Sequence, residues 1–335
     1  METITYDKPF KTYDQLVDLI ESRNIIVNDR ERAKQALSQF SYYTLINGYK
    51  SSFLVHPNSD YFKTGVTFDD LYKLHIIASD FNNIILKYIL HIENSLKTKL
   101  SYLISQKYGV YTNKDDFSNS DPNDYLYKRN YSSSTRKKYH VLNSIKECAV
   151  HARQNKSILH YTRHRNHIPP WILITNISFG LAIEWYSILK NTDKIELAYQ
   201  FLPYSELSNE KIKEFFYKSL QLLREYRNKI AHGHKTIQEH VSTELPKLQL
   251  LLLASPLLSE EEYLNNLGKN DVFAVFIACA ILLDKPDLLS LFFADLYQFF
   301  FPHKDFKIIN KTIFSLLGLP DNFLERIEMV LSPKI

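Results

Sequence analysis

The sequence predicts an all-α fold, and two observations carry that prediction. Apolar residues recur at steps of three and four through most of the 335 residues, where strict alternation would mark strands. Glycine is scarce, with seven in the chain, while hydrophobic residues make up 45% and aromatics 14%. That composition excludes a disordered chain and leaves long helical segments with few breakers. At this length the chain buries a sizeable core, as one large or two smaller domains.

Taken in order, Thr12 is placed to cap a short helix through Leu16, Val17, Leu19 and Ile20 that ends near Asn24. Asn28 or Asp29 starts a second helix through Ala33, Ala36, Leu37 and Phe40, which runs on until Gly48 breaks it. Phe40, Tyr42, Tyr43, Tyr49 and Phe53 read as packing anchors, and residues 57–66 as a loop. From Asp69 an unbroken stripe through Leu71, Leu74, Ile77, Phe81, Ile85, Ile92 and Leu100 predicts the longest helix of the protein, stopped by Gly109. Glu93 and Lys97 are spaced to support it. The stretch 112–135, rich in Asn, Asp and Ser, reads as a loop or partly ordered insertion, followed by a basic helix from about Arg136 to Ser157. Pro169 and Pro170 force an extended path into the apolar segment WILITNISFGLAIEWYSIL, a buried helix or helix pair.

Ser208 is placed to cap a long amphipathic helix reaching His232. Beyond it, residues 245–258, 271–283 and 288–301 are very apolar, separated by Pro256, Pro286 and Pro302, and helices continue through 308–317 and 323–331. The organisation expected is an N-terminal helical segment (1–67), a helical core (68–240) with a basic insertion at about 112–168, and a C-terminal apolar group (241–335). There is no internal repeat.

The net charge of +4 says little about partners, but its distribution says more. Between residues 128 and 167, Lys128, Arg129, Arg136, Lys137, Lys138, Lys146, Arg153, Lys156, Arg163 and Arg165 stand against one acid, Glu147. Tyr125, Tyr127, Tyr131, Tyr139 and Tyr161 lie among or beside them. This is the composition of a surface that meets a polyanion, and phosphate contact is expected through Arg136, Lys137, Lys138, Arg153, Arg163 and Arg165. An ordinary solvated helix face is the plainer reading; the salt dependence of RNA binding separates the two. Cys148, His151, His160, His164 and His167 resemble metal-ligand spacings, but cations crowd them and Glu147 is the only acid nearby, so no metal and no cofactor is expected. Cys148 and Cys279 define no disulfide framework, the opening METITYDKPFKTYD has no apolar signal segment, and the longest apolar run, 272–283, is too short to span a bilayer. The expectation is a cytoplasmic protein without a membrane partner.

The candidate chemistry lies in LQLLREYRNKIAHGHK, residues 220–235. Ile212, Phe215, Phe216, Leu220, Leu223, Tyr226 and Ile230 form one apolar stripe; Arg227, Asn228 and His232 lie off it, and Gly233 is a helix stop. A cationic fork, an amide and an imidazole thus gather within about one and a half turns, a set suited to a phosphodiester. A bare Arg-x4-His pattern arises easily by chance; Arg153 and His160 also fit, with six residues between them. The plain reading makes Arg227 a solvated helix residue and His232 a partner of the helix dipole. Positions five apart on a helix point about 140° apart, so either the helix loosens before His232 or the two residues act across a groove.

Four stretches in order resemble the Abi family of bacterial abortive-infection proteins: YDKPFKTYDQLVDLIESRNIIVNDRERAKQALSQFSYYTLINGY from Tyr6, DDLYKLHIIASDFNNIILKYILHIENSLKTKLSYLISQKYG from Asp69, PPWILITNISFGLAIEWYSIL from Pro169, and LLREYRNKIAHGHK. The last resembles the Rx4–6H motif of HEPN domains. That resemblance implies a HEPN-like helical bundle and metal-independent endoribonuclease activity by 2′-OH transesterification. Residue by residue it implies Arg227 as the phosphate clamp, His232 as proton carrier and Asn228 as orienting group. It implies RNA as substrate or regulator, a homodimer with a composite site, and an inhibitory partner or RNA. His234 is a positioning residue in this reading and, with Lys235, an RNA contact. Where relatives often carry a Glu after the Trp of the third stretch, this chain has Ile174, Thr175 and Asn176. The alternatives are a non-catalytic RNA-sensing protein, or a protein-interaction scaffold that docks through its apolar C-terminal helices.

Overall fold

The computed structural model describes residues 7–331, apart from residues 133, 152–154, 204–205, 234–235 and 237–238. It is all-α: helices account for 65% of it, and a two-residue β-hairpin is the one regular sheet among the described residues. The first helix, α1 (Tyr13–Ser22), is fixed at its start by a capping box between Thr12 and Gln15 and buries Val17 and Ile20. Asp29 caps α2 (Arg30–Tyr42). This helix is not broken by Gly48. Ser41 takes a left-handed φ of 60°, and the chain then winds as a π turn over Tyr43–Asn47. Gly48 itself is right-handed; it is needed because a Cβ there would collide with the Thr44 carbonyl. Of the expected anchors Phe53 is buried in α3 (Lys50–Phe53), but Tyr43 is 75% exposed.

Helix α4 (Phe68–Tyr108) runs 41 residues, about 60 Å, from a Thr67 cap to Gly109, whose φ of +89° ends it. The acids of its first turn, Asp69 and Asp70, complement the helix dipole. Leu71, Leu74, Phe81, Ile85, Ile92, Leu96 and Leu100 are buried along it, and later helices pack around that stripe. Lys97 pairs with Glu93 at 2.7 Å, whereas Lys99 reaches instead to Asp284 at 2.6 Å.

The stretch from 112 to 131 is a tightly bonded loop, not a loose insertion. Asp124 is fully buried and accepts from Thr112 Oγ1 (3.0 Å), the Asn113 N–H (3.0 Å) and the Leu126 N–H (2.7 Å). The expected single basic helix is two: α5 (Thr135–Val150) and α6 (Lys156–His164), the second capped by Asn155. Lys146 points inward from α5 and pairs with Asp124 at 3.0 Å, so it is no part of a basic surface. Tyr125 and Tyr131 are likewise core residues, bonded to the carbonyls of Ile168 and Tyr125.

Three short helices follow: α7 (Pro170–Leu173), α8 (Phe179–Ile188) and α9 (Asn191–Tyr199). They lead to α10 (Asn209–Ala231), which packs on α4, α8 and α9 through the predicted stripe. Phe216 is wholly buried there between Tyr186 and Phe201, at ring distances of 5.2 and 4.8 Å. Burying a side chain of that size contributes about 2–3 kcal/mol. Next come α11 (Lys247–Leu253), α12 (Glu260–Leu264), the entirely apolar α13 (Val272–Leu282) and α14 (Pro286–Phe300). Helix α13 packs on both α4 and α10, and α14 on α4. Residues 308–317 are not a continuous helix: β1 (Lys307–Ile308) and β2 (Lys311–Thr312) form the hairpin, followed by α15 (Ile313–Leu317). The last element is α16 (Phe323–Leu331). Among the described residues no helix is long and apolar enough to cross a membrane.

Arg326 ties α16 to α12, donating to the Leu257 carbonyl (2.6 Å) and to both oxygens of the Glu262 carboxylate. That guanidinium, aided by Ser259 and opposed by burial, holds Glu262 down at about 2. The folded value lies below the ordinary one, so the pair's contribution is complete above about pH 4.3 and is lost as the pH falls toward 2. The difference in thermal midpoint between the parent and Glu262→Gln should therefore be largest near neutral pH and shrink between about pH 4.5 and 2. A difference that stays constant over that range would show the pair to be irrelevant to acid stability.

Candidate functional site

Helix α10 keeps its bonding one residue past its last helical position. The His232 N–H donates to the Asn228 carbonyl at 3.1 Å, and His232 takes φ −95° and ψ 8° before Gly233 turns left-handed at φ +65°. Asn228 and His232 are four residues apart, so they share a helix face. Arg227 does not share it, but its guanidinium comes round the helix and donates to Asn228 Oδ1 at 3.2 Å. Arg227 and Asn228 are therefore joined side chain to side chain, and His232 follows Asn228 on the same face through the helix backbone. Arg227 is half-buried; Asn228 and His232 are exposed.

The positive φ at Gly233 reverses the chain, and α10 then holds the returning segment against itself. Glu225 accepts from the Ser242 N–H and hydroxyl, both at 2.8 Å, and from the Thr243 hydroxyl at 2.5 Å. Burial works against the Glu225 carboxylate's charge, but these Thr243 and Ser242 bonds prevail and hold it below its usual range. Lys229 adds an ion pair to Glu239 and a bond to the His240 carbonyl, at 3.0 and 3.3 Å.

Between α10 and this returning segment lies an open hollow of about 510 Å³. Asn228 and His232 line it together with Arg224, Glu225, Lys229 and His240, while Arg227 is not among its lining residues. Of these only Asn228 and His232 were singled out by the sequence. Arg224 could have been, because Arg224, Asn228 and His232 follow one another at steps of four. Its side chain lies across Gly180 of α8, and its Nε is buried with no hydrogen-bond partner among the described residues. His240 carries no local signal, since only the chain reversal brings it back. Its Nδ1 is bonded to Asn270 Oδ1 at 2.8 Å, which fixes the ring. The hollow thus combines two imidazoles, an amide and cations with one carboxylate, Glu225, which its bonds to Ser242 and Thr243 occupy; the imidazoles can accept and return a proton beside a bound anion.

The basic set is spread more widely. Arg136 on α5, and Arg163 and Arg165 at the end of α6, are exposed. Lys137 pairs with Glu184 at 3.0 Å and also lies beside the Tyr217 hydroxyl of α10. Lys138 donates to the Tyr131 carbonyl at 3.4 Å. Helix α5 packs on α8, and α6 on α7. Arg153, His234 and Lys235 lie outside the described residues. The His160 and His164 rings stand 4.9 Å apart on α6, and among the described residues no three His, Cys, Asp or Glu side chains are grouped to hold a metal.

The sequence model of a family described as Abi-like protein matches residues 35–238, a span that includes α4, the basic helices, α10 and the turn at Gly233. No curated protein and no solved structure matches the chain.

Proposed function

Because this chain belongs to the Abi-like protein family, which points to abortive infection as a defence against phage, we propose that it is an endoribonuclease of such a system. The observation that supports the reading is the hollow at the end of α10, where Asn228 and His232 stand with Arg224 and His240 and the Arg227 guanidinium is bonded to Asn228. In this reaction the ribose 2′-oxygen attacks phosphorus, the P–O2′ bond forms and the P–O5′ bond breaks. A neutral imidazole takes the 2′-OH proton, and an imidazolium returns one to the leaving 5′-oxygen. His232 serves as one of these, and either His240 of the same chain or the His232 of a second copy as the other. Arg227 clamps the phosphate and stabilises charge on its non-bridging oxygens. Asn228, held by Arg227, orients the phosphate. Arg136, Lys137, Arg163 and Arg165 contact the RNA backbone away from the cut, a homodimer brings two such sites together, and an inhibitory partner or RNA keeps the activity in check.

The test is incubation of the purified chain with labelled transfer RNA and bulk RNA in the presence of a chelator. Cleavage leaving 2′,3′-cyclic phosphate and 5′-hydroxyl ends is the expected result. Tight RNA binding without cleavage would replace this reading with that of a non-catalytic RNA sensor.

A further inference from the structure

A second hollow, of about 380 Å³, lies on the other side of the turn at Gly233. Its walls come from three separate parts of the chain: the π turn around Tyr43, the middle of α4 from His75 to Asn83, and the segment after α10 at Gly233, Thr236 and Glu239. Its size falls in the ~300–1,000 Å³ range of small-molecule sites, and neither the motif nor the basic stretch accounts for it.

Its polar groups are fixed and mostly neutral. Asn82 Oδ1 accepts from the Tyr226 hydroxyl (3.1 Å) and from the Thr236 hydroxyl (2.9 Å). Two hydroxyl donors set the orientation of that amide and leave its NH₂ as the group available to a ligand. The Tyr49 hydroxyl and His75 Nδ1 are 3.0 Å apart, and burial lowers the His75 imidazole below its usual range, so the ring stays neutral at pH 7. The one acid, Glu239, is paired with Lys229 at 3.0 Å. Among the described residues that line the hollow none is a Lys or Arg. An uncharged set of amide, hydroxyl and imidazole matches the edge of a heterocycle. Beside it Tyr43 exposes three-quarters of its surface, a ring face on which such a heterocycle can stack.

We propose that this hollow seats one unpaired nucleobase of the RNA, with the neighbouring phosphate at Asn228 and His232. The proposal rests on the RNA-cleaving reading for its substrate. The two hollows meet at the turn: His232 lines one and Gly233 the other, and the Lys229–Glu239 pair joins their walls. A strand crossing the turn places a phosphate on one side and its base on the other. The base in this hollow then decides where the RNA is cut.

The experiment titrates the four nucleoside 3′-monophosphates onto the full chain by calorimetry, for the parent, Ser79→Trp, Tyr43→Ala and His232→Ala. Ser79 is an exposed wall residue, so the indole fills the hollow without entering the core. One base should bind at least ten-fold more tightly than the others in the parent and in His232→Ala. Ser79→Trp should abolish that preference, and Tyr43→Ala should weaken binding at least five-fold while the fold is retained. Equal binding of all four, or selective binding that survives both Ser79→Trp and Tyr43→Ala, would overturn the base seat. If selective, Ser79→Trp-sensitive binding is found in a chain that cuts no RNA, the base seat stands and the ribonuclease reading falls; cleavage without base-selective binding does the reverse.

Discussion

Replacing His232 with alanine is expected to slow RNA cleavage by about 10²–10⁴-fold, the range that general acid–base catalysis supplies, with RNA affinity nearly unchanged. The imidazole is exposed and lies past the end of α10, so its removal opens no cavity, and the thermal midpoint should hardly move. Single-turnover rates separate this from a binding defect. Arg227→Lys should not restore what Arg227→Ala loses, because a single ammonium cannot repeat the two-pronged grip of a guanidinium on a phosphate. Two imidazoles line the hollow, so the parent rate should be bell-shaped in pH, and His240→Ala should flatten one limb. If His232→Ala cuts RNA as fast as the parent, the site is elsewhere.

Asp124→Ala is the second large effect, on stability instead of rate. Asp124 and Lys146 expose 0% and 1% of their side chains, and the carboxylate pairs with that ammonium at 3.0 Å. Lys146 also donates to the carbonyls of Asn113 and Asp116, so the pair stitches α5 to the loop before it. Removing the carboxylate strands a buried cation and three donors, at a cost of about 3–5 kcal/mol. Urea unfolding measures it. Adding Lys146→Met to Asp124→Ala should recover a large part of the loss, because the penalty lies in the unpaired charge and not in the missing contact. A double variant no more stable than the single one would place the cost in the loop's own hydrogen bonds. RNA cleavage by the folded variants should persist, since neither group reaches α10.

Much of the architecture was legible in the residues because it is encoded locally. Thr12 and Asp29 cap the helices they were expected to cap, Gly109 stops the 41-residue α4, and the apolar run 272–282 is the buried α13. Periodicity, caps and stops act within a turn or two, and a sequence displays them directly. The misses have different causes. Lys146 looked like one more cation in a basic run, and nothing local says that Asp124 will meet it. Tyr43 looked like its aromatic neighbours, but the left-handed Ser41 and the π turn swing it outward. The basic helix divides at Asn155, which caps α6 with its own side chain.

The candidate site divides in the same way. The sequence alone determined that Arg227, Asn228 and His232 stand at the end of an amphipathic helix whose other face is committed to the core, because 3.6 residues per turn dictate it. Tertiary structure decided their company. Arg224 crosses Gly180, and Gly233's positive φ lets Glu225 and Lys229 fasten the returning chain so that His240 reaches the same hollow as His232. Contacts between residues eight or more apart, across a reversal of the chain, depend on where the backbone turns and what tethers it, and no helical spacing records that.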